Sequence, residues 1–218
     1  MLSHHSWSKN VPHLQGHHGF GGQRSAVVGR FALLVLATAL LNASCSSSLF
    51  KVKPAIELPP LSGNIKTASA GGVNVRVAPL MSDDESQELF EANLPLGGVL
   101  PLRLEMVFES GVAVEIKKVR FRLRDGAGRE WKYLPAKAAI SRILKANDVY
   151  LYNPNSRKQF EKEFTAYAIE LKEPLSSSDR SRQGFLFFQT PKGEPVESPQ
   201  GLVLSVERLP QPVSIPLN

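Results

Sequence analysis

The sequence predicts a mainly β fold, an antiparallel β-sandwich that carries one or two short inserted helices. Apolar and polar residues alternate along about six short segments between residues 73 and 209, as they do in strands with one buried face. Gly and Pro, with 16 residues each among 218, separate these segments and favour turns over long helices. A hydrophobic content of 42% is sufficient for one buried core.

The first half of the predicted domain alternates strands with one short helix. Residues 73–80 form the first strand, and Ser82 with Glu85 forms a capping box that starts an acidic helix.

Residues 184–188, with the sequence GFLFF, are apolar on both faces and are therefore expected at the centre of a sheet. The other predicted strands are residues 100–110, 114–124, 130–134, 164–172 and 202–209.

Residues 135–145 predict the one longer helix. Pro135 suits a first helical turn, and Ala139, Ile140, Ile143 and Leu144 form its apolar stripe.

Residues 148–163 are expected to cross the surface without regular structure. Six or so short strands with turns between them and two inserted helices predict a sandwich of immunoglobulin-like architecture, although the Cys…Trp…Cys pattern of antibody domains is absent.

An apolar segment near the N-terminus indicates export. Residues 31–41, FALLVLATALL, are uncharged and follow Arg24 and Arg30, which is the order of a signal peptide. A membrane-spanning helix needs about 20 apolar residues, so this run is too short to span a bilayer. We therefore assign residues 1–44 to a signal peptide. Residues 1–23 are polar and rich in His and Gly, and we interpret them as a start-site artefact or, alternatively, as a metal-binding tract.

The only cysteine, Cys45, lies shortly after the apolar segment, with Asn42, Ala43 and Ser44 between them. Residues 41–45, LNASC, resemble the lipobox of bacterial lipoproteins, although that family usually has Leu at the position of Asn42. The resemblance implies cleavage between Ser44 and Cys45, acylation of Cys45 and, because residue 46 is Ser, transfer to the outer membrane. Several acyl chains anchor a protein at roughly 0.8 kcal/mol per buried methylene. Ordinary secretion, with cleavage after Ser46, is the alternative.

Charge and histidine content narrow the function of the remaining chain. The formal charge of +6 falls to +3 without residues 1–44, because three of the 26 basic residues and no acidic residue lie there. A small excess with interspersed signs does not predict nucleic-acid binding. All five histidines also lie within residues 1–44, so the rest lacks the commonest general base and metal ligand. With none of the common catalytic motifs present, we predict no enzymatic activity and no cofactor.

The predicted organisation has four parts. These are a signal peptide (1–44), a lipidated tether rich in Ser and Pro (45–72), a β-sandwich domain (73–209) and a Pro-rich, extended tail (210–218). The segments LPLRLEMVFES, FRLRDGAGREW and SRQGFLFF resemble a group of uncharacterised bacterial lipoproteins and exported proteins. This resemblance implies shared patterns that maintain the fold, and it transfers no site residue.

Two charged clusters are candidate binding surfaces. Arg120, Arg122 and Arg124 lie on one face of a predicted strand and would suit lipid phosphate, an anionic glycan or an acidic partner; a solvated sheet face is the favoured alternative. The second cluster is acidic and consists of Asp83, Asp84, Glu85 and Glu88. Its carboxylates would suit Ca²⁺, but the chemistry of a helix start explains them better.

Aromatic residues and a Ser-Lys pair are the remaining candidates. The aromatic residues that would line a groove for sugar or peptide, unless they complete a core edge, are Trp131, Tyr133, Tyr150 and Tyr152. Ser141 and Lys145 lie one helical turn apart, which alone is weak support for a nucleophile and its base.

Three functions remain open at this point. The favoured hypothesis is a lipid-anchored, non-catalytic binding or structural module of the cell envelope, with the membrane and an envelope protein or glycan as partners. A carrier of lipid, sugar or metal with a pocket between the sheets is the alternative. A hydrolase with buried carboxylates is the third. The favoured location is the outer membrane, facing the periplasm or the cell surface, and a soluble secreted or periplasmic protein is the alternative. The sequence leaves the oligomeric state open.

Overall fold

The computed structural model describes residues 48–150 and 152–218. The predicted signal peptide, the predicted cleavage site at Ser44 and the predicted acylation site Cys45 lie outside the described residues. The described helices are α1 (Asp83–Phe90), α2 (Ala136–Ala146) and α3 (Pro154–Thr165). The described strands are β1 (Lys66–Ala70), β2 (Val73–Pro79), β3 (Val99–Phe108), β4 (Arg120–Arg124), β5 (Glu130–Leu134), β6 (Ser181–Gln189), β7 (Val203–Glu207) and β8 (Val213–Pro216).

The eight strands form one antiparallel sheet in the order β1-β2-β3-β6-β5-β4-β7-β8. The two end strands, β1 and β8, lie next to each other, so the sheet is nearly closed and barrel-like. The predicted mainly β, antiparallel fold is confirmed, but the structure does not show the expected immunoglobulin-like sandwich of two sheets. Neighbouring strands rotate in one sense, so a continuous sheet of this width curls until its ends approach.

The interior of the barrel-like sheet is filled by side chains. Alternate residues of each strand point inward, and β3 contributes Leu102, Leu104 and Met106, all fully buried. Trp131 on β5 and Phe188 on β6 belong to the same cluster. The alternative function, a carrier of a small ligand, requires a pocket in the interior of the sheet. In the structure, these side chains occupy that space.

A second apolar layer lies on the outer face of the sheet. β6 is apolar on both faces: Leu186 and Phe188 point inward, whereas Phe185 and Phe187 point outward. The outward pair packs against α1, α2 and α3. The predicted central position of GFLFF is therefore confirmed, since β6 lies between β3 and β5 with both faces covered.

Several predicted elements agree with the structure. The strands predicted at residues 73–80, 100–110, 130–134, 184–190 and 202–209 correspond to β2, β3, β5, β6 and β7. The predicted capping box is present, because the Ser82 hydroxyl accepts a hydrogen bond from the Glu85 N–H at 3.2 Å and the Glu85 carboxylate accepts one from the Ser82 N–H. The helix predicted at residues 135–145 is α2, with its apolar stripe buried.

Three predictions between residues 114 and 172 are wrong. Only Arg120–Arg124 form a strand of the predicted 114–124 segment, and Val114 makes an isolated bridge to Leu175. Residues 148–163 are not a structureless excursion, because α3 begins after Asn153, whose side chain accepts a hydrogen bond from the Asn155 N–H at 2.8 Å. The strand predicted at 164–172 is absent from the described residues, since its first two residues end α3.

The predicted linker and tail both contribute strands. β1 lies inside the expected 45–72 tether and pairs with β2 along its whole length. β8 lies inside the expected 210–218 tail and pairs with β7. The folded unit therefore extends beyond the expected 73–209 domain at both ends, and these two additions bring the ends of the sheet together.

Candidate functional site: the strap that follows Cys45

The described chain begins three residues after the proposed acylation site, and its first segment is bound to the domain. We call residues 48–60 the strap. Val52, on the strap, is only 6% exposed and belongs to the outer apolar layer. The Phe50 ring lies edge-on against Phe160 of α3, with 5.1 Å between ring centroids. The start of the strap is therefore packed on the domain, where an extended linker was expected.

Helix α1 holds the strap through its C-terminal turn. The Lys53 N–H donates to the Leu89 carbonyl at 3.1 Å, and the Lys53 ammonium forms an ion pair with Glu88 at 3.0 Å. The Lys51 N–H donates to the carboxylate of Glu91. Carbonyls in the last turn of a helix have no intrahelical partner, so the strap satisfies a group that the helix leaves free.

A buried arginine holds the other end of the strap. Arg103, on the outer face of β3, is buried, and its guanidinium donates to the carbonyls of Pro59 and Pro60. Burial lowers the pKa of the Arg103 guanidinium, and the nearby carboxylate of Glu105 acts in the opposite direction. A buried cation is costly unless it is hydrogen-bonded, so these carbonyls stabilise Arg103 as much as Arg103 stabilises the strap.

Tyr167 fixes the middle of the strap. Its hydroxyl donates to the Lys53 carbonyl, and its ring lies in the aromatic layer beside Phe90 and Phe185. Burial raises the pKa of this hydroxyl to about 12, although the Arg103 charge acts in the opposite direction. The hydroxyl is therefore protonated at neutral pH and remains a hydrogen-bond donor to the strap.

The sequence contained one signal for the strap that our sequence analysis missed. In LFKVK, residues 49–53, apolar Phe50 and Val52 are followed by charged Lys51 and Lys53, with a period of two. This alternation is typical of an extended segment with one buried face. The Ser- and Pro-rich flanks concealed it, because such composition also describes a linker.

Comparison with protein-family models, curated proteins and solved structures finds no match to this chain. No helix among residues 48–150 and 152–218 has the length and apolarity needed to cross a bilayer.

We call the three arginines of β4, Arg120, Arg122 and Arg124, the arginine stripe. Carboxylates on the two adjacent strands face this stripe. Arg122 lies 3.2 Å from Glu207 on β7, and Arg124 lies 3.6 Å from Glu130 on β5. Arg120 is also opposite Glu207 in the register of β4 and β7. The positive charge of the stripe is thus largely compensated by carboxylates on the adjacent strands, as in the solvated sheet face that the sequence analysis favoured.

The acidic cluster is divided between two structural tasks. Glu85 completes the capping box of α1, and Glu88 pairs with Lys53 of the strap. Asp83 and Asp84 are exposed in the first turn of α1, where their charge complements the helix dipole. In the part of the chain that the structure describes, no group of three or more His, Cys, Asp or Glu side chains is placed to hold a metal ion.

The aromatic candidates have separate environments. Trp131 is buried in the sheet interior, and Tyr133 is half-exposed beside Phe188. Tyr150 is 66% exposed, and Tyr152 stacks with the guanidinium of Arg157, which lies 5.3 Å from the ring centroid. Of these four residues, only Trp131 lines the open groove of about 440 Å³ beside the 125–129 turn.

The buried carboxylate at that groove maintains the turn. Asp125 accepts hydrogen bonds from the N–H groups of Ala127 and Arg129, from the Arg129 guanidinium and from the Trp131 indole. Burial alone would raise the pKa of Asp125, but the hydrogen bonds from Arg129 and Trp131 hold it below its usual value. A general acid of a hydrolase needs the opposite shift.

The Ser-Lys pair lies on the exposed side of α2. The Ser141 hydroxyl donates to the Lys137 carbonyl of its own helix at 3.2 Å. Ser141 and Lys145 are both exposed, whereas a lysine that activates a serine is normally desolvated. The geometry gives no support to a nucleophilic role for this pair.

Proposed function

We propose that the chain is an exported bacterial lipoprotein that is anchored through acyl chains on Cys45 and carries a non-catalytic binding or structural module of the cell envelope. One observation carries the proposal: the only cysteine of the chain lies four positions after an uncharged apolar segment of signal-peptide length, with the short residues Asn42, Ala43 and Ser44 between them. A lone cysteine cannot form an internal disulfide, so modification is the role that fits its position.

The folded part supports a non-catalytic module. Its sequence from residue 46 onward contains no His and no Cys. Its buried carboxylate, Asp125, and its buried guanidinium, Arg103, both bind groups of the fold. Each is therefore explained by structural stabilisation. The Ser at position 46 favours retention at the outer membrane, facing the periplasm or the surface.

Replacement of the cysteine tests the anchor. In a diderm bacterium, the wild-type chain should partition into the detergent phase after extraction with Triton X-114. The Cys45→Ser variant should carry no acyl chains and should keep residues 1–44, because the predicted acylation and cleavage both take place at this cysteine. Ser47→Ala is the matched control, since it changes a neighbouring residue and keeps the thiol.

Mass spectrometry of the mature N-terminus completes this test. We expect the first residue to be Cys45 with the added mass of two or three acyl chains. A mature chain that begins elsewhere, or acyl mass on the Cys45→Ser variant, would contradict the proposal.

A further inference from the structure

The strap limits how far the domain can lie from an acyl anchor. Ser46 and Ser47 are the only residues between Cys45 and Ser48. Three Cα–Cα steps of about 3.8 Å give a maximum separation of about 11 Å. The polar headgroup layer on one side of a bilayer is about 5–8 Å thick. Two residues therefore suffice to cross the headgroups and leave almost no free tether beyond them.

The rest of the expected tether is bound to the domain. Hydrogen bonds and packing hold the strap at Phe50, Val52, Lys53, Pro59 and Pro60. These contacts are to α1, α3, β3 and Tyr167, which all belong to the outer layer of the fold. The strap consequently cannot extend to lift the domain unless these contacts break.

We propose that the strap side of the domain rests directly on the phospholipid surface. We define the strap side as the strap with the adjoining exposed residues of α1 and α3. This inference depends on the proposed acylation of Cys45, and it adds the orientation of the domain and the surface that meets lipid. Val112, in the exposed turn that follows β3, does not belong to the strap side as defined here.

The chemistry of the strap side suits a lipid interface. Ile56, in the 3₁₀ turn Ala55–Glu57 of the strap, is 94% exposed. Burial of such a side chain among acyl chains is favourable, because it removes apolar surface from water. Lys51 is also exposed on the strap, where its ammonium can meet lipid phosphate. Lys53 and Glu88 neutralise each other, whereas Glu57 and the acidic first turn of α1 remain exposed, so the lipid contact depends on the anchor and on Ile56 and not on a net positive charge.

The chain offers a matched pair of probes for this orientation. Ile56 and Val112 are both exposed apolar residues, at 94% and 87%, but only Ile56 lies on the strap side. Gln87 is a second near probe that is distant in sequence from Cys45, and it is exposed on α1 beside Lys51 and Lys53. Because Cys45 is consumed by acylation, each Cys introduced at these positions is a single labelling site.

The experiment uses the acylated full chain with Ile56→Cys, Gln87→Cys or Val112→Cys, each labelled with a fluorophore. The proteins are reconstituted into phosphatidylcholine vesicles that contain some phosphatidylglycerol and a nitroxide lipid. We expect the nitroxide to quench the label several-fold more at positions 56 and 87 than at position 112. Equal quenching at positions 87 and 112 would overturn the inference.

Two readouts on the same samples separate the inference from the proposed function. Co-sedimentation with vesicles and the acyl mass on Cys45 report the anchor alone. An anchored protein with equal quenching at the three positions rejects the orientation and leaves the lipoprotein proposal intact. A protein without acyl mass rejects both.

Discussion

The two apolar layers of this protein are built in different ways. The interior of the barrel-like sheet consists mainly of alternate side chains from its own strands, such as Val75, Leu104 and Leu204. The outer layer combines aliphatic side chains, such as those of α2, with aromatic rings from separate segments that meet on β6: Phe90 from α1, Phe160 and Phe164 from α3, and Tyr167. The inner layer is thus a property of strand patterns, whereas the outer layer exists only after distant segments have come together.

The largest loss of stability is expected when a side chain at the centre of the outer layer is truncated. Phe90 is fully buried, and four aromatic rings lie around it with centroids 5.1–6.3 Å away. Phe90→Ala should lower the free energy of unfolding by about 3–5 kcal/mol, because it leaves a cavity among rings that cannot collapse into it. Urea unfolding followed by circular dichroism measures the loss.

Tyr150→Ala is the control for this variant. Tyr150 is exposed, so its replacement should change the free energy of unfolding by less than about 0.5 kcal/mol. Both layers share β6, so the fluorescence of Trp131 in the interior should report the same midpoint as the helical signal. Separate midpoints would show that the outer layer melts independently.

A smaller loss is expected where the strap meets β3. Arg103→Ala removes hydrogen bonds from a charged donor to the Pro59 and Pro60 carbonyls, which should cost about 1.5–3 kcal/mol of unfolding free energy. Arg103→Lys should recover only part of this loss, because an ammonium lacks the fork that reaches both carbonyls. Equal stability of Arg103→Ala and wild type in urea would mean that the strap adds nothing to the fold.

The capping box of α1 should contribute less to the free energy of unfolding than Arg103 does. Ser82→Ala removes the acceptor for the Glu85 N–H and should cost about 1 kcal/mol, measured by thermal or urea unfolding. Ser177→Ala, in an exposed loop, is the control and should leave stability unchanged. A loss no greater than that of the control would show that α1 is held by its packing alone.

The smallest change in stability is expected at Arg122 of β4, on the part of the outer face that is uncovered. Arg122→Ala breaks an ion pair with Glu207 between two half-exposed side chains and should change the free energy of unfolding by less than about 0.5 kcal/mol. A loss above about 1 kcal/mol would assign the stripe a structural role that its exposure does not indicate.

Local patterns predicted the strands of the inner layer but not how they pair. The alternation in residues 100–110 and the capping box at Ser82 depend on near neighbours, so the sequence was sufficient to find β3 and α1. Strand partners lie far apart in the chain, as with β4 and β7, and no periodicity specifies them. A single curled sheet and a two-sheet sandwich therefore have the same strand patterns.

The missed elements have weak local signals. β1 is KTASA, whose small residues give little apolar alternation. α3 has only two buried residues, Phe160 and Phe164, within a highly charged sequence. Both elements are stabilised by tertiary contacts, β1 by pairing with β2 and α3 by the aromatic layer, and propensity alone does not reveal such contacts.

Cys45 and the strap differ in the same way: the signal at Cys45 is local, whereas the contacts of the strap are not. Cys45 stands out because its signal is local: a charged start, an apolar run and a single thiol. The strap that follows it depends on Leu89, Arg103 and Tyr167, which lie between about 30 and 115 residues further along the chain. The composition of residues 46–60 suggested a linker, and only the fold shows where those residues bind.

Amide hydrogen exchange can show whether the strap is bound to the domain. A chain of residues 46–218, which has neither the apolar segment 31–41 nor Cys45, can be measured by mass spectrometry or NMR. We predict that the Lys53 amide, which donates to the Leu89 carbonyl, exchanges far more slowly than an unstructured peptide. Exchange of the Lys53 amide at the rate of an unstructured peptide would show instead that the strap is a free tether.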